Sequence, residues 1–111
     1  MTDTAHKSIL HELYEERGPL MADGATGTNL FEMGLISGDA PELWNIDQPH
    51  KIRALHDSFV QAGSDVILTN SFGGTANRLK LHHAQDRVFE LNKAAAELAR
   101  ESAKESDKYV I

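Results

Sequence analysis

An aspartate at the end of an apolar segment is the first residue in this chain whose type and position suit ligand binding. Asp23 follows the apolar residues 19–22 and precedes a glycine-rich stretch, Gly24, Ala25, Thr26 and Gly27. We interpret residues 19–23 as a short buried strand whose C-terminal end opens into a loop. Glycine lets a ligand approach the main chain closely. Asp23 is therefore predicted to face a pocket mouth, the edge where parallel α/β folds bind ligands.

The spacing of this stretch excludes two nucleotide-binding motifs. Residues 23–29 lack the GK[ST] ending of a P-loop, and they lack the G-x-G-x-x-G spacing of a dinucleotide-binding turn. From these residues alone, a tight turn in which Asp23 caps local N–H groups is an equal alternative to a ligand site.

A second segment repeats the same order of residue types. The apolar run 66–68 ends in three polar residues and an aromatic one, Thr69, Asn70, Ser71 and Phe72. An unbroken apolar run is typical of a parallel strand that is buried on both faces. The carboxyl ends of parallel strands meet at one edge of a sheet, so Thr69, Asn70 and Ser71 are predicted to share the pocket mouth with Asp23.

Helices must connect and position these two strand ends. Apolar spacing predicts helices over residues 5–17, from an Asp47 N-cap to a Gly63 C-cap, and over about 85–104. The order of helices and strands, with a further apolar run at 108–111, predicts a parallel sheet with right-handed crossovers. Two strands and the start of a third cannot close a barrel. We therefore expect residues 1–111 to be the front part of a larger α/β domain.

Composition limits the classes of partner. The 111 residues carry a net charge of -6, which argues against a nucleic-acid or anionic-membrane partner. No apolar run approaches the roughly 20 residues that span a bilayer, and no signal-peptide core is present, so a cytoplasmic location is expected. Cysteine is absent, which excludes disulfides, a thiolate nucleophile and a cysteine-ligated zinc made by this chain alone. Trp44 is predicted to pack in the core, and His82 and His83 to lie on the surface.

An ordered set of segments resembles the homocysteine S-methyltransferase family. These are residues 23–28, Pro41-Glu42-Leu43-Trp44-Asn45, residues 62–74 and residues 90–100. The betaine-using bacterial branch of the family is the most similar, followed by the homocysteine-binding module of cobalamin-dependent methionine synthase. The resemblance implies a (β/α)8 TIM barrel of roughly 300 residues. This chain would supply its N-terminal helix, its first two β/α units and the start of its third strand.

The family resemblance also implies roles for individual residues. Members bind zinc through three cysteines in the later part of the barrel, so this chain holds no zinc ligand and no catalytic residue. Asp23 would accept a hydrogen bond from the ammonium of homocysteine, and Gly24 would let the substrate lie against the main chain. The remaining candidates would line the mouth near the sulfur and the methyl donor; they are Thr69, Asn70, Ser71 and Phe72.

The resemblance predicts that the full-length protein transfers a methyl group from betaine or a related donor to the zinc-activated thiol of homocysteine, giving methionine. Animal betaine enzymes carry an aromatic residue where Gly73 stands, so another onium donor, or methyl-folate through cobalamin, stays open. The 111 residues alone are expected to be inactive. The alternative from a different class is a free-standing small α/β module whose 24–27 loop binds an anion or a small metabolite. The sequence leaves the oligomeric state open.

Overall fold

The computed structural model describes residues 9–24, 26–106 and 108–111. Helices and two short strands follow one another along these residues, in the order α1 Ile9–Arg17, α2 Thr26–Glu32, α3 Trp44–Asp47, α4 Pro49–Gln61, β1 Val66–Ile67, α5 Ala76–Leu79, α6 Val88–Ser106 and β2 Tyr109–Val110. Three 3-10 turns lie between them, at Pro41–Leu43, Lys80–His82 and Gln85–Arg87.

The strands form a parallel array whose spatial order follows the chain. β1 pairs with β2 in parallel, with Val66 opposite Tyr109 and Ile67 opposite Val110. Ala22 makes a parallel bridge to Val66 on the other edge of β1. This arrangement confirms the predicted parallel pairing and brings the segments that follow Ala22 and β1 to one edge.

The predicted strand over residues 19–23 is much shorter in the structure, where it consists of the single bridge at Ala22. The backbone N–H of Met21 donates to Asp65 Oδ2 at 3.0 Å instead of to a carbonyl of the neighbouring strand. Pro19 has no N–H to contribute. Only the Met21 carbonyl and the Asp23 N–H are left to bond with β1.

The two long helices pack against each other and against β1. Ile67 is fully buried against Ala99 and Ala103 of α6, and these small side chains let the helix approach the strand closely. The buried face of α6 is formed by Leu91, Ala95, Ala99 and Ser102. A second cluster joins α2 to α4 through Leu30, Leu35, Ile52 and Leu55, and a third lies under α5.

Two predicted helix starts differ from the structure. The glycine-rich residues after Asp23 were predicted as a loop, but Thr26–Glu32 form α2, and residue 25 lies outside the described part. Asp47 does not cap α4, because it belongs to α3; Gln48 is the N-cap residue and its side chain makes no capping bond. Of the helix predicted over 5–17, residues 5–8 lie outside the described part.

Two predictions near α4 hold. Gly63 has φ of 105°, the left-handed conformation expected just after a helix. Trp44 is half-buried against the cluster of α2 and α4, with the Lys51 ammonium 4.8 Å from its ring centroid, so it packs as predicted. None of the helices described is both long and apolar enough to cross a membrane.

Candidate functional site

Asp23 directly follows the Ala22 bridge, at the end of the predicted first strand. Its Oδ2 atom accepts a hydrogen bond from the backbone N–H of Leu68, at 3.2 Å. Its Oδ1 atom is buried and has no hydrogen-bond partner among the described residues. Burial raises the pKa of Asp23, and the bonds from the backbone N–H groups of Leu68 and of Asp23 itself oppose that rise. One carboxylate oxygen is therefore fixed and the other is available to a donor.

The polar residues after β1 are held by backbone and side-chain bonds. The Thr69 and Ser71 hydroxyls lie 2.6 Å apart and share a hydrogen bond. The Thr69 N–H donates to the Ile111 carbonyl at 2.8 Å, so the segment extends the pairing of β1 with β2. These bonds hold the chain on both sides of Asn70 and leave the hydroxyl pair with further donor and acceptor sites.

Asn70 ties the segment after β1 to two other parts of the fold. Its Nδ2 donates to the Pro41 carbonyl at 2.9 Å and to Asn45 Oδ1 at 3.0 Å. Asn45 Nδ2 in turn donates to the Asn70 carbonyl at 2.9 Å and to the Leu91 carbonyl at 3.2 Å. Both amides are buried. Buried amides that satisfy one another in this way specify a single loop position.

A cavity of about 480 Å³ opens between α2, the 39–42 segment and the residues after β1. This volume suits a small metabolite. The described residues that line it are Thr26, Gly27, Asp39, Ala40, Pro41, Glu42, Asn70, Phe72, Gly73, Asn77, Arg78, Leu81 and His82. Of the predicted site residues that the structure describes, Asn70 and Phe72 line this cavity. The described lining does not include Asp23, Gly24, Thr69 and Ser71. The predicted site residues therefore fall into two groups, one that lines the cavity and one that does not.

Gly24 is not sterically required where it stands. A Cβ at this position would meet Phe59 at 3.7 Å, which is ordinary contact. At Gly73 and Gly74, by contrast, a side chain would force its neighbours to move. A Cβ on Gly73 would lie 2.9 Å from Glu42 Oε1, and a Cβ on Gly74 would lie 2.7 Å from Asn92 Oδ1. The glycines of this site that a side chain approaches most closely are therefore the two that follow β1.

Phe72 carries the exposed aromatic face of the cavity. Its side chain is 88% exposed, and the Arg78 guanidinium lies 5.2 Å from its ring centroid. This is the distance of a cation–π contact. His82, which the sequence predicted to be on the surface, is half-buried and lines the cavity, whereas His83 is exposed as predicted.

The residues described here do not fit a zinc site. They contain no group of three or more histidine, cysteine, aspartate or glutamate side chains arranged to hold a metal ion. The chain has no cysteine to offer the metal. What the chain does present is a carboxylate with one free oxygen, a hydroxyl pair and a cavity with an aromatic and a guanidinium group.

Sequence reasoning missed Glu42, Asn45 and Arg78 as site residues. Glu42 is 6% exposed, lines the cavity and accepts a hydrogen bond from the Gly73 N–H at 2.9 Å. The sequence offered a signal for two of them, because Glu42 and Asn45 flank Leu43 and Trp44 in a segment that is otherwise apolar. Only Trp44 was assigned a place from that segment.

Comparisons with known proteins agree with the resemblance. Residues 20–111 match the family model described as homocysteine S-methyltransferase. The chain is 29% identical over 92 residues to the methionine synthase of Mycobacterium tuberculosis, and 28% identical over 92 residues to that of Mycobacterium leprae. Each match covers 78% of this chain and 8% of the relative.

Solved structures give the same result. The chain superposes with a TM-score of 0.73 on the oxidized form of the homocysteine methyltransferase MmuM from Escherichia coli, at 26% identity, covering 89% of this chain and 35% of that one. The metallated form of that enzyme gives a TM-score of 0.71 at 27% identity, covering 86% and 34%. This chain thus spans about a third of the solved relatives. With the family model matching most of its residues, the chain belongs to the homocysteine S-methyltransferase family.

Proposed function

We propose that the full-length protein containing this chain transfers a methyl group from a small onium donor such as betaine to the sulfur of homocysteine, giving methionine. The sulfur attacks the methyl carbon, the bond from that carbon to the donor's nitrogen or sulfur breaks, and its electron pair stays on the donor. The thiol proton is released. A zinc ion held by residues outside these 111 would supply the activation of the sulfur.

The observation that carries the proposal is the unpartnered Oδ1 atom of Asp23. A buried carboxylate oxygen without a donor is unfavourable, and the ammonium group of an amino acid supplies that donor. The other oxygen is fixed by Leu68, so the free oxygen has a defined direction. We infer that Asp23 binds the ammonium of homocysteine and orients its sulfur.

Further residues complete the proposed substrate pocket. The hydroxyl pair of Thr69 and Ser71 stands next to Leu68, beside Asp23. Asn70 and Phe72 face the cavity in which the methyl donor would lie. Gly24 is exposed beside Asp23 and leaves the main chain accessible to the substrate.

Replacing Asp23 tests the proposal directly. Asp23→Asn in the full-length protein keeps an oxygen for the Leu68 N–H but removes the charge. Loss of a charge-assisted hydrogen bond is expected to weaken homocysteine binding by roughly 10- to 100-fold. Calorimetric titration with homocysteine measures it, and Asp86→Asn, an exposed carboxylate in the 85–87 turn, is the matched control. Unchanged homocysteine affinity in Asp23→Asn, at unchanged zinc content, would refute this role.

A second candidate function follows from the curated relatives. Both are methionine synthases many times longer than this chain, which covers 8% of each. In that case the methyl group would come from methyl-folate through cobalamin, while Asp23 would bind homocysteine in the same way. Assays of the full-length protein with betaine and with methylcobalamin separate the two donors.

A further inference from the structure

Glu42 is a buried carboxylate without a cation. Its side chain belongs to a residue that is only 6% exposed, and its Oε2 atom accepts a bond from the Gly73 N–H at 2.9 Å. No lysine, arginine or histidine of the described residues pairs with it. A buried charge that has only a neutral N–H as partner is unfavourable. Glu42 therefore has no cationic partner bonded to it among the described residues, and a cation that enters the cavity would supply one.

The cavity is where such a cation would reach it. Glu42 and Gly73 both line the cavity, and Asn70 lines it beside them. Asp23, to which the proposed function gives the ammonium of homocysteine, lies outside this lining. Asp39 also lines the cavity but is exposed, so Glu42 is the buried carboxylate residue of the described lining that remains for the second substrate.

Glu42 also fills the space that a side chain at position 73 would need. A Cβ on Gly73 would lie 2.9 Å from Glu42 Oε1 and 3.2 Å from its Cδ atom. Real Cβ contacts essentially never fall below 3.0 Å, so either the carboxylate or the loop would have to move. Glu42 and Gly73 act as one unit, in which the glycine leaves the carboxylate at the cavity wall.

We propose that Glu42 is a specificity-determining residue that faces the positively charged group of an onium methyl donor. This inference rests on the proposed function. The charge of the donor and the charge of Glu42 neutralise each other inside the cavity. The Gly73 N–H holds one carboxylate oxygen, and the other lies over Gly73, 2.9 Å from where a Cβ would stand. A quaternary ammonium and a sulfonium ion share this chemistry, and the test below distinguishes them.

Glu42→Gln in the full-length protein is the first test. The amide oxygen still accepts from the Gly73 N–H, while the charge is lost. We expect the KM for the donor to rise at least about 10-fold, with kcat falling less and the KM for homocysteine within twofold of the wild type. Betaine is the quaternary ammonium probe and S-methylmethionine the sulfonium probe. Glu12→Gln, an exposed acid on α1, is the matched control and should leave every constant unchanged.

Gly73→Ala gives an independent test that keeps the charge but displaces it. We expect the same rise in donor KM from this variant. The double variant Glu42→Ala/Gly73→Ala should be no worse than Glu42→Ala alone, because the clash is then removed. Fully additive effects would overturn the coupling between the two residues.

The outcomes separate this inference from the proposed function. If the wild-type protein methylates homocysteine neither with an onium donor nor with methylcobalamin, the proposed function is refuted. An active wild type whose donor KM is unchanged in Glu42→Gln refutes only the role of Glu42 as a charge, and leaves it as a support for Gly73. A rise confined to the homocysteine KM would also overturn the inference, since Glu42 would then bind the amino acid.

Discussion

His56 is the most deeply buried titratable side chain in the described part of the chain. It lies on α4 and is 1% exposed, and neither of its ring nitrogens has a hydrogen-bond partner in that part. Desolvation lowers its pKa, Asp57 next to it raises it, and Arg53 lowers it further. The folded protein therefore holds His56 in its neutral form.

This burial makes stability depend on pH. The unfolded chain takes up a proton on His56 below about pH 6.5, while the folded chain does so only at lower pH. Stability is thus fully present above about pH 6.5 and falls as pH drops, by at most about 1.4 kcal/mol for each unit in that window. Thermal unfolding of the full-length protein at pH 7.5 and pH 5.5 measures the loss.

His56→Leu should remove this part of the pH dependence and raise the midpoint at pH 5.5 relative to wild type. His50→Leu, an exposed histidine of the same helix, is the control and should keep the wild-type slope. Equal slopes in wild type and His56→Leu would contradict the prediction.

At the scale of elements, α4 and α6 are joined by a charged network around Arg53. Its guanidinium bonds to Asp57 at 3.1 Å, to Glu101 at 2.9 Å and to Glu105 at 2.6 Å. The Ser102 hydroxyl also donates to Asp57. Burial alone would raise the pKa of Asp57, but the bonds from Ser102 and Arg53 keep that pKa below its usual value. A network with two half-buried members, Arg53 and Asp57, is more stabilising than isolated exposed pairs.

Arg53→Met should keep most of the apolar contact of the side chain and remove its charge. We expect a loss of about 1 kcal/mol in the free energy of unfolding, smaller in high salt because two of the acids are exposed. Urea unfolding of the full-length protein at low and high salt measures it. Arg100→Met, an exposed residue of α6, is the control. A loss that does not depend on salt would point to packing instead.

At the scale of the whole molecule, large apolar side chains near the strand array are left uncovered. The exposed fractions are 64% for Met21, 45% for Leu68 and 56% for Ile111, and Phe72 is more exposed still. Parallel sheets are normally covered on both faces. Apolar exposure on this scale in one region marks a surface that another part of a protein covers.

The 111 residues studied alone should therefore self-associate and bind an apolar dye, whereas the full-length protein should not. Sedimentation equilibrium and dye fluorescence of the two proteins at equal concentration measure the difference. A monomeric, cooperatively unfolding chain without dye binding would favour the free-standing binding module over part of a barrel.

The long helices, the strand β1 and their order follow from the sequence, because apolar spacing and turn residues act over a few neighbouring positions. The helical periodicity of α4 and α6, the buried run of β1 and the cap at Gly63 could all be read in this way. Asp23 was recognised because it ends an apolar run. The family followed from several motifs in a fixed order.

Only the tertiary structure decided which side chains meet. The bonds of Asn45 to Asn70 and of Glu42 to Gly73 join residues 25 and 31 positions apart, and no local pattern encodes such contacts. The division of the predicted site into Asp23 and a separate cavity has the same origin. It depends on where α2 and the 39–42 segment pack, and packing is set by side-chain volume and hydrogen-bond satisfaction across the whole fold.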